Sequence, residues 1–210
     1  MKKLLKILGW TLLAVVVVSA GAGWWLYTQA SAYYEQRWSP HQASFAMPFP
    51  LSPEEVTALR QERLAAGGPV SGPLAGVDLE AVARERAIAR GDHLIHSRVG
   101  CNGCHGDDFG GKVIIDNSMI GYWAAPNLTR GAGGITANFT PADWDHAVRH
   151  AIRHDLRTSS MPSEEFENLS DHELSDVVSY IRSRPPVDRA IRPVKLGPLF
   201  AIIVATQRDA

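Results

Sequence analysis

The sequence predicts a small all-α domain preceded by an N-terminal membrane-spanning helix. Three observations predict it. No charged residue occurs from Ile7 to Tyr34. Later segments open on helix-capping signatures, and no strand-type alternation competes with them. Finally, the helices expected between residues 81 and 187 carry too few apolar residues to fill a core, so something other than side chains must complete it.

Composition narrows the function classes. The chain has 210 residues, with 21 Lys+Arg against 22 Asp+Glu and a formal charge of −1. That balance argues against a nucleic-acid binder, which needs a basic excess. A hydrophobic share of 45% with 20% charged residues argues against a disordered chain. Two cysteines, Cys101 and Cys104, are too few for a disulfide framework. Residues 81–187 hold 11 basic and 14 acidic side chains, a net charge of −3. The bases concentrate at Arg149–Arg157 and the acids at Glu164–Asp176, an asymmetry able to steer a docking partner.

The most apolar part of the uncharged run, Ile7–Tyr27, spans about 30 Å as a helix, the thickness of a bilayer's hydrocarbon core. Lys2, Lys3 and Lys6 precede it, which by the positive-inside rule keeps the N-terminus cytoplasmic and exports everything that follows. Trp24, Trp25, Tyr27, Tyr33, Tyr34 and Trp38 read as an aromatic belt at the far interface. The run exceeds a signal-peptide core, so it reads as an uncleaved anchor; cleavage near Ser19–Gly23 is the alternative. Pro40, Pro48, Pro50 and Pro53 predict extended chain. Ser52-Pro53-Glu54-Glu55 then starts a short helix that ends by Gly67-Gly68-Pro69. Pro69–Gly76 reads as linker, and the whole stretch from the anchor to residue 80 as a spacer giving reach.

Helical character returns over Leu79–Ser97. Thr140-Pro141-Ala142-Asp143 opens a helix expected to run through Trp144, Val148 and Ile152. Ser170-Asp171-His172-Glu173 opens another, in which Leu174, Val177, Val178 and Ile181 follow i, i+3, i+4, i+7 spacing, and Pro185-Pro186 stops it. Between them, Asp116–Asn138 reads as glycine- and asparagine-rich loop. Leu196–Ala205 is apolar but too short to span a membrane, and is expected to pack on the domain or on a partner.

The chemistry sits at Cys101-Asn102-Gly103-Cys104-His105. Two thiols spaced by two residues add to the two vinyl groups of one haem, and the adjoining histidine ligates its iron. A thioredoxin-like pair would need a strand–helix context, and a zinc knuckle two further ligands; neither pattern is present. Of the four methionines, Met161, followed by Pro162 in an inter-helix loop, is the candidate second axial ligand, with gap-filling as its alternative. Met119 reads as packing. His146, His150 and His154 recur every four residues beside Arg149, Arg153 and Arg157. Neighbouring arginines disfavour a cation there, so the stripe reads as solvated or facing haem propionates, with a metal site or a substitute haem ligand as alternatives.

Through Ala89-Arg90-Gly91, Cys101–His105, Ala125-Pro126-Asn127-Leu128-Thr129, Ala142-Asp143-Trp144, Met161-Pro162 and Leu169-Ser170-Asp171, residues 81–187 resemble class I-type cytochromes c. The likeness is to membrane-anchored bacterial mono-haem members in particular, and also to single haem domains in the cytochrome subunits of periplasmic dehydrogenases. The resemblance implies an all-α fold around one covalent haem c, its first and last helices crossing near Gly91 and Tyr180. It implies axial ligation by His105 and Met161, with the Pro126 carbonyl orienting His105. Leu128, Trp144 and Phe166 would line the haem, and Arg149 would meet a propionate. The sequence departs from the pattern at Arg157-Thr158-Ser159-Ser160, where a glycine-containing stretch is usual. The organisation implied is a cytoplasmic tip and anchor at 1–30, an extracytoplasmic linker at 31–80, the haem domain at 81–187 and a tail at 188–210. The function implied is carriage of single electrons between redox proteins on the outer face of the bacterial cytoplasmic membrane, in the periplasm, without catalysis of its own. A haem-based sensor, or the haem subunit of a periplasmic dehydrogenase complex, is the alternative.

Overall fold

A computed structural model describes residues 2–207, the last three of these by backbone alone; position 1 and the tail positions 208–210 lie outside the described residues. Helix α1 (Lys2–Glu35) is long and apolar enough to cross a membrane, and its most apolar window is wholly unburied. The remaining elements are α2 (Pro53–Ala65), α3 (Leu79–Leu94), α4 (Cys101–His105), strands β1 (Lys112–Asn117) and β2 (Gly121–Ala125), α5 (Pro141–His150), α6 (Asp171–Ser183), β3 (Lys195–Leu196) and α7 (Pro198–Gln207).

Helices α2, α5 and α6 start as their sequences dictate. Ser52, Thr140 and Ser170 each accept from the backbone N–H three residues on, and the acidic side chain there accepts from the cap's own N–H. The core lies between α3 and α6, with Ile95, Phe109, Trp144, Leu174, Val177, Val178 and Ile181 buried. Gly91 makes the crossing possible: a methyl group there would collide with the Asp176 carbonyl and the Tyr180 side chain. Beside it Arg90 grips Asp176 through Nε (2.7 Å) and Nη2 (3.0 Å), while Nη1 reaches Glu55 of α2 at 3.0 Å. The crossing at Gly91 and Tyr180 implied by the resemblance is therefore present.

Four expectations are corrected. First, part of the segment read as loop pairs into a sheet, in the order β1-β2-β3, all antiparallel. Most side chains of β1 are exposed and its register is broken between Val113 and Ile115, so no two-residue alternation marks it. The Asn117 side chain accepts from the N–H groups of Met119 and Ile120, turning the hairpin. The third strand arrives from the far end of the chain.

Second, α5 stops at His150. Ala151 is left-handed (φ 49°), and the N–H groups of both Ala151 and Ile152 donate to the His146 carbonyl. Ile152 is then buried and bridged to Thr158. His154 and the arginines at 153 and 157 thus leave the helix.

Third, the stretch before residue 80 is not a free spacer. Phe45 and Met47 pack on the core, and Glu62 pairs with Arg86 at 3.2 Å. Fourth, Trp38 is not simply an interface aromatic, because its Nε1–H donates to Thr158 Oγ1 at 2.9 Å.

The described tail packs as expected, and on two surfaces. The buried Asn127 amide donates to the carbonyls of Val187 (2.7 Å) and Arg189 (3.1 Å). Helix α7 lies against α1, with Ala30 and Ala201 fully buried. Phe200 stacks on Trp123 at 6.4 Å.

Candidate haem site

Helix α3 ends in a π-helical turn, Ile95–Val99, closed by left-handed Gly100, whose N–H donates to Ile95 O. That turn launches α4, which holds the whole Cys101–His105 motif in one short helix. Residues three apart share a helix face, so both thiols project from the same side. Cys101 is half-buried and Cys104 is exposed, and no disulfide joins them. Burial pushes the Cys101 thiol up to about 11, with the neighbouring Cys104 adding to it. A thiol raised this far is not poised as the thiolate of a redox pair.

His105 is fixed through backbone and side chain. Its carbonyl accepts from Gly111 N–H, and its Nδ1 lies 2.9 Å from the Pro126 carbonyl. A carbonyl only accepts, so Nδ1 carries the proton and Nε2 keeps its lone pair. Among the described residues no hydrogen-bond partner engages Nε2. Burial holds the imidazole below its ordinary pKa, partly opposed by the bond to Pro126, and so keeps it neutral. Two thiols on one face beside a neutral, oriented imidazole with a free Nε2 fit the proximal side of a covalently bound haem.

Strand β2 ties the two sides of the site together. Pro126, which orients His105, follows its last residue. From the same strand Trp123 Nε1–H donates to Ser160 Oγ at 2.9 Å, next to Met161. Met161 is half-buried, and its N–H donates to Ser159 Oγ at 3.2 Å. The serines that replace the usual glycine stretch are therefore anchors of the loop.

The loop is also clamped by the chain leaving α1. Thr158 Oγ1 donates to the Tyr33 carbonyl (3.0 Å), Trp38 N–H donates to Leu156 O (2.8 Å) and Arg157 pairs with Glu35 (3.0 Å). Sequence reading missed this clamp. Its one trace was Trp38, lying beyond the apolar run.

The remaining predicted residues divide. Leu128 and Phe166 are partly buried against the core, and Trp144 is buried within it. Among the described residues Trp144 Nε1 is a buried donor without an acceptor, as a propionate-binding group would be before its ligand is counted. Arg149 stands five residues on, about 140° around the helix, so the structure does not bring the two to one face. Arg149 Nη1 is committed to Asp145 (2.6 Å) and Asp171 (2.8 Å), while its Nε and Nη2 lack partners among the described residues.

No curated protein matches the chain. Residues 88–185 match the family model described as Cytochrome c. This stretch contains the α3–α6 crossing, the thiol pair, His105, Pro126 and Met161, and a domain of this family implies covalent haem c and an electron-carrier role. Residues 88–185 of the chain are thus a cytochrome c domain of the class I type.

Proposed function

We propose that the protein is a membrane-anchored single-electron carrier. One haem c is attached through Cys101 and Cys104, and its iron is bound by His105 and Met161. The observation that carries this reading is the setting of His105: Nδ1 on the Pro126 carbonyl, Nε2 free, and two thiols on the adjoining turn. The haem supplies an iron that cycles between two oxidation states. Pro126 holds the His105 ring in one tautomer, Trp123 and the Thr158 clamp hold the Met161 loop, and Leu128, Trp144 and Phe166 exclude water. Trp144 Nε1–H is the better-supported propionate donor; Arg149 is the second, through its two unpartnered nitrogens.

Lys2, Lys3 and Lys6 at the start of helix α1 support a domain on the outer face of a bacterial cytoplasmic membrane, facing the periplasm, where redox proteins exchange electrons with it. The clamp on α1 supports a domain held at a set height above the bilayer. Haem staining of membranes after denaturing electrophoresis, followed by a redox titration, tests the proposal. A haem-stained band of about the chain's mass that titrates as a one-electron couple is expected. A protein without covalent haem, or one extracted from membranes by a high-pH wash, contradicts it.

A further inference from the structure

Away from the haem motif, α5 meets the extended strap that follows α1, and there a buried carboxylate faces two histidines. Asp145 is 1% exposed. Its Oδ1 accepts from Arg149 Nη1 at 2.6 Å. Its Oδ2 accepts no hydrogen bond, although His41 Nε2 lies 3.2 Å away and His150 Nε2 3.5 Å away. Neither ring nitrogen is aligned to donate to that oxygen. The three atoms lie within 4.8 Å of one another. A buried carboxylate oxygen with two imidazole nitrogens beside it, but no proton from either, is placed to share a cation.

The donor set fixes the class of ion. Two imidazole nitrogens and one carboxylate oxygen suit zinc or divalent copper, not the all-oxygen shell of calcium or magnesium. Ligand atoms about 2.0–2.1 Å from a tetrahedral ion stand roughly 3.3 Å apart, close to the two distances to Oδ2. The charge is favourable despite Arg149. Asp171 accepts from the same Nη1 at 2.8 Å, so two carboxylates surround one guanidinium and leave a net negative charge when the imidazoles are neutral. His41 and His150 keep 60% and 40% of their side-chain surface exposed, which gives an ion a way in.

We propose that His41, Asp145 and His150 bind one divalent transition-metal ion of the zinc or copper class, which fastens the strap after α1 to the haem domain. The regular histidine spacing then divides into three roles. His146 Nε2–H donates to the His41 carbonyl at 2.7 Å, positioning the strap rather than binding metal. His150 is a ligand. His154, beyond the helix, is engaged by Asp143 at 2.8 Å.

The test uses the full chain in detergent, without a polyhistidine tag, stripped by a chelator that leaves covalent haem in place. Titration with zinc chloride followed by gel filtration should leave one zinc per chain. His41→Ala and His150→Ala should each weaken binding by about tenfold or more, with His154→Ala unchanged. Copper bound to the wild type should show coupling to two imidazole nitrogens, falling to one in His41→Ala. The haem spectrum reports folding in every variant, and His41→Gln is the milder second substitution at this exposed site. Failure of the wild type to retain stoichiometric zinc overturns the proposal, as does unaltered binding by His41→Ala or His41→Gln with an intact haem spectrum.

Discussion

The two sides of the site are built in opposite ways. The proximal side is local: one short helix carries both thiols and His105, and a single distant carbonyl, that of Pro126, completes it. The distal side owes its shape to distant partners. Met161 sits in a loop held by Trp123 from the sheet and by Tyr33, Glu35 and Trp38 from the exit of α1. The difference teaches that the thiol pair and His105 are placed within one turn of chain, whereas the position of Met161, the proposed second ligand, is coupled to helix α1. The proximal side should resist changes elsewhere; the distal side should register them.

The largest effect tests the local half. Replacing both Cys101 and Cys104 by alanine should abolish covalently bound haem, read by haem staining after denaturing electrophoresis. Persistent staining would separate attachment from the motif. Next comes the helix crossing on which both halves rest. Gly91→Ala forces a methyl group onto the Asp176 carbonyl and should cost about 3 kcal/mol, measured by denaturant unfolding monitored at the haem.

A smaller change sharpens the contrast. Trp38→Phe removes one hydrogen bond to Thr158, worth about 1 kcal/mol, and loosens only the distal loop. Added imidazole should then bind the ferric protein several-fold more tightly, about fivefold for 1 kcal/mol, with attachment unchanged. Unchanged imidazole affinity would mean that the clamp does not reach Met161.

These cases show what the sequence made legible. The thiol pair, His105 and the capped starts of α2, α5 and α6 could be read because each depends on residues within four positions of one another. The crossing at Gly91 could be anticipated only through the family resemblance. The sheet was hidden because β1 exposes most of its side chains and takes its third strand from near the C-terminus. The end of α5 was hidden too, since nothing local marks Ala151 as left-handed; burial of Ile152 in a non-local bridge selects it. The clamp on the distal loop uses backbone carbonyls and a threonine hydroxyl, which carry no motif.

The smallest effect lies in the cap of α6. The Glu173 carboxyl is held below its ordinary pKa of 4.5, first by the Ser170 backbone N–H in the α6 capping box, with the Ser170 hydroxyl and Arg98 assisting. A carboxyl lowered on folding contributes stability that is present above 4.5 and lost as pH falls through its folded value. Glu173→Gln should therefore flatten the acid limb of the Tm–pH curve while leaving haem attachment and ligation untouched. An unaltered acid limb would place the capping contribution elsewhere.

The central claim, that a loop fastened by distant contacts presents Met161 to an iron already held by His105, is tested most directly by the absorption spectrum of the oxidised protein. The wild type should show the sulfur-to-iron charge-transfer band, and Met161→Ala should lose it while retaining covalent haem. Persistence of the band in Met161→Ala would contradict the assignment.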